Sequence, residues 1–150
     1  MNMKNLFLLL VCGLCFQSVG SFAQGYKIQV NIPQMSNKQV ILANYFEGKV
    51  YAVDTAQINS NGTGYFQKNN KKLARGMYIL LFSPSNYFDI MIGDNQNFSI
   101  TTDTLQVIDK IRFEGSPENT AFLGFQKVMT SATQKSRQIK EAMEKDPAKT

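Results

Sequence analysis

Tyr26-Lys27-Ile28-Gln29-Val30-Asn31-Ile32, followed by Pro33, alternates apolar and polar residues without a break. A period of two marks a strand with one buried face, and proline ends it because it has no N–H to give a ladder. Tyr26, Ile28, Val30 and Ile32 are therefore expected to face inward. From here to about Phe113, short β-prone runs recur between turn residues every 8 to 12 positions, the spacing of an all-β sandwich or barrel.

Working outward, Gln39 to Phe46 is a second strand, and Glu47-Gly48 turns it into Lys49 to Val53. Asp54 to Ile58 reads as more strand or a tight corner. Asn61-Gly62, within Asn59-Ser60-Asn61-Gly62-Thr63-Gly64, predicts positive φ at both central positions of a type I′ hairpin. Tyr65-Phe66 resumes the sheet. After a polar loop ending at Arg75-Gly76, Met77-Tyr78-Ile79-Leu80-Leu81-Phe82 is nearly continuous apolar sequence, predicting a central strand buried on both faces. Tyr87 to Ile92 and Gln96 to Thr101 follow, and Val107, Ile108, Ile111 and Phe113 suggest one last strand, bulged or broken at Asp109. The expected fold is mainly β: an antiparallel β-sandwich or partly open barrel of about eight strands over residues 24–115. No internal repeat supports a solenoid or propeller.

At Ser116-Pro117-Glu118-Asn119 the pattern changes. Ser116 suits an N-cap, Pro117 the first helical position, and Glu118 the positive end of the helix dipole. One long amphipathic helix over 116–145 is predicted. Phe122, Phe125, Met129, Ala132, Ser136, Ile139 and Met143 follow a 3-4 spacing, an a/d seam. Phe122, Leu123, Phe125, Val128 and Met129 are expected to dock the first half on the β module. Lys135, Arg137, Lys140, Glu141, Glu144 and Lys145 form a solvated face. The candidate interaction seam is Phe125, Met129, Ala132, Ile139 and Met143, and residues 146–150 read as an unstructured or truncated end.

The N-terminus reads as an export signal over 1–23. Lys4 precedes an apolar centre from Leu6 to Phe16, and Ser21-Phe22-Ala23 offers small residues for cleavage near Ala23. The apolar centre is too short to span a bilayer, which needs about 20 residues. Val11 and Leu14 precede Cys12 and Cys15, where lipid attachment needs a small residue, so a lipoprotein is not expected. Cys12-Gly13-Leu14-Cys15 has the spacing of a redox dithiol but lacks the strand and helix N-terminus that would activate it. It reads as part of a removed segment, and the expected location is the periplasm or another exported compartment.

Removing 23 of 150 residues leaves 127, one domain's worth, with neither cysteine nor histidine. Thiol catalysis, a Ser-His-Asp triad and ordinary transition-metal sites are thereby excluded. Loss of Lys4 leaves 15 basic against 11 acidic residues, a mild net +4. With export, this argues against a nucleic-acid partner, and Lys68, Lys71 and Lys72 read as a solvated loop. Asp89 with Asp94 and Glu141 with Glu144 are weak acid–base pairs. Asp94-Asn95-Gln96-Asn97 lacks the later glycine and glutamate of a calcium loop and reads as a turn. No phosphate-binding or nucleotide-binding glycine motif occurs, so no cofactor, metal ligand or catalytic residue is assigned. Twelve aromatic residues lie on the predicted strands, most expected in the core; any exposed on one sheet face would offer a binding surface.

Read in order, Val53-Asp54-Thr55-Ala56, Gly64-Tyr65-Phe66, Arg75-Gly76-Met77-Tyr78, Phe98-Ser99-Ile100 and Phe113-Glu114-Gly115-Ser116-Pro117-Glu118-Asn119 with Phe122 resemble a known module. The chain is similar, over about residues 25 to 125, to the domain of unknown function 4369. That module is the N-terminal β module of exported thioredoxin-like (thiol:disulfide interchange, AhpC/TSA-type) proteins of Gram-negative bacteria. The resemblance implies a non-catalytic accessory or interaction module of a thiol:disulfide oxidoreductase. Its partner would be a covalently linked or associated thioredoxin-like domain, and self-association through the helix is a second arrangement. The alternative is a self-contained exported β-sandwich that binds a peptide, glycan or protein.

Overall fold

The computed structural model describes residues 25–145. The expected signal segment, with Cys12, Cys15 and Ala23, and the tail 146–150 lie outside the described residues. Eight strands form two four-stranded sheets. They are β1 (Tyr26–Asn31), β2 (Gln39–Phe46), β3 (Lys49–Gln57), β4 (Thr63–Lys68), β5 (Gly76–Ser83), β6 (Asn86–Ile92), β7 (Asn97–Thr101) and β8 (Arg112–Glu114). One sheet has the order β4-β1-β7-β8, and the other β3-β2-β5-β6. Two helices follow β7: a single turn, α1 (Val107–Lys110), and the long α2 (Pro117–Lys145).

The architecture is an open sandwich, not a barrel. Tyr26, Ile28, Val30 and Ile32 are all buried, as the opening alternation requires. They meet Leu42, Leu80, Phe88 and Ile90 from the facing sheet in one continuous core. Burying each such side chain contributes about 1.5–3 kcal/mol, and this core fixes how the two sheets stack.

Four sequence expectations are corrected. First, not every strand pair is antiparallel: β1 pairs with β7 in parallel, Ile28 opposite Phe98. The chain leaves this sheet for the β5–β6 hairpin and returns beside β1 in β1's own direction.

Second, the type I′ geometry belongs to Glu47-Gly48, where φ is +49° and +74°. Phe46 and Lys49 pair across that two-residue loop. At Asn59 to Thr63 only Gly62 has positive φ. The Asn59 Oδ1 accepts the N–H groups of Asn61 and Thr63, both at 3.0 Å, and this local bonding replaces the I′ turn. The segment carries the chain from one sheet to the other. A Cβ on Gly62 would strike the Pro33 backbone.

Third, Val107 and Ile108 are not on a strand. Asp103 Oδ1 accepts the N–H groups of Leu105 (2.9 Å) and Gln106 (2.6 Å), starting a helical turn that places Ile111 in the core before β8 begins. Fourth, β5 is central, but its outward face is buried only at Ile79; Leu81 is half-buried and Met77 is 44% exposed.

Candidate functional site

The two sheets present unlike faces to the outside. On β4-β1-β7-β8 the outward residues include Lys27, Gln29, Asn31, Gln67, Ser99, Arg112 and Glu114, all polar. The one exposed aromatic there, Tyr65, sits 5.3 Å below the Lys27 ammonium. A polar outer face is the usual condition of a sheet packed on one side and wetted on the other.

The outer face of β3-β2-β5-β6 is apolar instead. Register pairs Ala43 with Ile79, Ile41 with Leu81, Tyr45 with Val50, Met77 with Met91 and Leu81 with Tyr87. Cross-strand partners share a face, so these nine residues form one patch. Ala43 and Ile79 are fully buried yet stand outside the interior core cluster. Their larger neighbours shield them, while Tyr45, Val50, Met77 and Tyr87 remain exposed. Phe46 and Tyr51, on the other side of the same hairpin, are also exposed and meet edge to face at 6.4 Å. The one charged side chain at the patch is Asp89, opposite Ile79. Burial among apolar groups raises its carboxyl above the ordinary range.

The predicted helix begins as expected and docks differently. Ser116 is buried, and its Oγ accepts from the Asn119 side-chain Nδ2 at 2.8 Å. Asn119 in turn closes on the free edge of β6. Its Oδ1 accepts the Met91 N–H at 2.7 Å, and its Nδ2 donates to the Met91 carbonyl at 2.7 Å. A carboxamide thereby takes the place of a neighbouring strand's peptide group. Leu123, one turn on, is buried beside it, and Phe122 is half-buried.

These contacts set the rotation of α2. Asn119, Leu123 and Gln126 face the sandwich, so the seam lies roughly a third of a turn away at about 100° per residue. Phe125, Val128 and Met129, expected to dock, are exposed. The reason is that a paired hydrogen bond to a strand edge has stricter geometry than apolar contact. Beyond Gln126 the seam continues through exposed Ala132, Ile139 and Met143. Farther along α2, the stripe in line with Asn119 and Leu123 carries the spaced ion pairs Arg137–Glu141 (3.7 Å) and Lys140–Glu144 (4.0 Å). The five seam residues thus lie along one helix, open to solvent.

Asn119 and Gln96 are polar residues whose importance sequence reading missed. Gln96 is buried, accepts the Leu73 N–H at 2.8 Å and donates to the Leu73 carbonyl at 2.9 Å, pinning the loop after β4. The signal for both was a lone amide side chain beside a turn or cap, which is too common to single out. Elsewhere, the Tyr26 hydroxyl donates to Asp54 Oδ2 at 2.6 Å. Burial first, then this bond, holds the phenol far above its usual range. Asp94 makes an exposed ion pair with Arg75, while Asp89 lies on the apolar face, so the two carboxylates occupy different surroundings. Among the described residues no group of three or more potential metal ligands is brought together. No helix among them is long and apolar enough to cross a membrane.

A family model described as a domain of unknown function (DUF4369) matches residues 26–122, from the first residue of β1 into the docked part of α2. The chain belongs to the DUF4369 family. No curated protein matches it. The DUF4369 match spans the sandwich with the Ser116–Asn119–Met91 junction and stops within the docked turns of α2.

Proposed function

We propose that this DUF4369 chain is the non-catalytic N-terminal module of an exported thioredoxin-like thiol:disulfide oxidoreductase. The seam of α2 holds or orients the redox domain. The observation that carries this reading is the exposed stripe Phe125, Met129, Ala132, Ile139 and Met143 on a helix whose first turns are firmly docked. At 29 residues α2 is about 43 Å long at 1.5 Å per residue, so the stripe reaches well past the β module. The export signal read over 1–23 and the resemblance to modules that precede thioredoxin-like domains agree with it.

Intact-mass analysis of the protein purified from its own host, before and after thiol alkylation, tests the reading. The expected product begins at Gln24, continues past Thr150 and carries a redox-active Cys-x-x-Cys. A mature protein ending at Thr150, with no alkylatable thiol, overturns it.

A second reading is favoured by the apolar outer face of β3-β2-β5-β6. On this reading the module is a self-contained exported binding protein, and Tyr45, Met77 and Tyr87 contact a protein partner. Crosslinking through a photoreactive residue at Tyr45 distinguishes the readings: adducts within the same polypeptide favour the first, and adducts to a separate protein favour the second.

A further inference from the structure

The bond pair between Asn119 and Met91 occupies only one rung of the β6 edge. In an antiparallel pair, the main-chain groups of alternate residues point toward the partner strand and away from it. Met91 N–H and C=O point away from β5 toward Asn119, so those of Asp89 and Tyr87 point away as well. No described side chain hydrogen-bonds to them. At the far end Asn86 Nδ2 donates to the Thr104 carbonyl at 2.6 Å, so the loop after β7 closes over the start of β6.

Between these two closures lies a cavity of about 440 Å³, lined by Tyr87, Asp89, Val107, Asp109 and Gln126 among others. Gln126 follows Asn119 by two helical turns and looks onto the same edge. Its Oε1 is buried, with no hydrogen-bond partner. A buried acceptor left unpaired is destabilising, and an incoming N–H donor would satisfy it. The lining has two carboxylates, Asp89 and Asp109, and no lysine or arginine.

We propose that this gap is a binding site for an extended peptide segment bearing a basic side chain, which adds as a short strand to β6. The peptide continues the ladder that the Asn119 carboxamide begins. Its inner edge exchanges hydrogen bonds with the main chain of Asp89 and Tyr87, and Gln126 Oε1 accepts an N–H from its outer edge. The span from Tyr87 to Asp89 accommodates about three residues at ~3.4 Å each. Strand addition of this kind draws affinity from main-chain bonds and specificity from alternate side chains, here a lysine or arginine directed at the two carboxylates. The site lies apart from the α2 seam, so it stands or falls independently of the function proposed above.

The test titrates the ¹⁵N-labelled chain with acetyl-Thr-Lys-Val-Lys-Thr-amide and follows amide hydrogen exchange. Exchange at Tyr87 and Asp89 is expected to slow by about tenfold or more at saturation, as newly paired amides do. The same peptide N-methylated at alternate residues should not protect them, and a version with glutamate for lysine should bind about tenfold more weakly. Gln126→Leu should weaken binding by about tenfold while the Met91 and Leu123 amides keep their wild-type shifts. Asp109→Asn, a surface change, should weaken the lysine peptide alone. Unchanged exchange at millimolar peptide, equal binding of the N-methylated peptide, or a crystal structure at that concentration with only an ordered water on Gln126 Oε1 overturns the proposal.

Discussion

The outer faces of the two sheets are built on the same period of two and end in opposite chemistry. On β1 the outward positions are Lys27, Gln29 and Asn31; on β5 they are Met77, Ile79 and Leu81. Water covers the first face at no cost. On the second face, Ile79 is shielded by its neighbours, yet a rim of Tyr45, Val50, Met77 and Tyr87 stays wet. Contiguous exposed apolar area on a folded domain marks a contact surface. The sandwich therefore has one polar and one apolar outer face, and the exposed apolar stripe of α2 adds to the second kind of surface.

The largest test of that contrast is a charge at the centre of each face. Ile79→Asp should destabilise by about 3 kcal/mol or more, because an unpaired carboxylate replaces a fully buried side chain. Gln29→Asp, at a half-buried polar position of a central strand, should cost no more than about 1 kcal/mol, the span of strand propensity. Urea denaturation of both variants reads the difference; equal losses would mean that the two faces are equally wet.

Next in size is Asn119→Leu, which leaves the Met91 edge groups unpaired. A loss of about 2–3 kcal/mol is expected from three missing side-chain hydrogen bonds, two to Met91 and one to Ser116, together with faster exchange at the Met91 amide. Wild-type exchange there would show that the amide bond pair does not anchor α2.

Smaller still is the effect of the lone carboxylate on the apolar face. Burial raises the Asp89 pKa, so its protonated form suits the folded state. Its contribution to stability is fully present below the ordinary carboxylate range and is lost as pH rises through the raised folded value. Asp89→Asn should therefore gain on wild type as pH rises from 3 to 7. Solvent screening keeps the gain below about 1 kcal/mol. Melting temperatures of the two proteins across that range decide it, and a gap that narrows with pH contradicts the assignment.

The smallest effect belongs to the seam. Met129→Gln combined with Ile139→Gln should alter stability by less than about 0.5 kcal/mol, since both side chains are already exposed. A loss above 1 kcal/mol would place the seam within the fold of this chain.

Much of the β module was legible because each strand carries its own pattern. The alternation of Tyr26 to Ile32 fixed which residues face inward, and the unbroken run Met77 to Phe82 marked a strand apolar on both sides. The cap Ser116-Pro117-Glu118 located the start of α2 to the residue. What misled was turn chemistry that depends on contacts. Asn61-Gly62 resembles a type I′ pair, but Asn59 captures the nearby N–H groups, and Glu47 accepts the left-handed conformation instead. Val107 and Ile108 are β-branched, yet Asp103 winds them into a helical turn.

Sequence by itself determined a β module of about eight strands, the inward residues of β1, the long helix and its apolar stripe, because local period and capping need no distant partner. Only the tertiary structure decided which way the helix turns, where the β6 edge stays open and which sheet keeps an apolar outer face. Those features arise from bonds between residues far apart in the chain, such as Asn119 with Met91, and from which surfaces remain after the core has closed. A stripe of apolar residues at 3-4 spacing reads the same whether it docks or stands free; the Asn119 carboxamide on a strand edge settles it here.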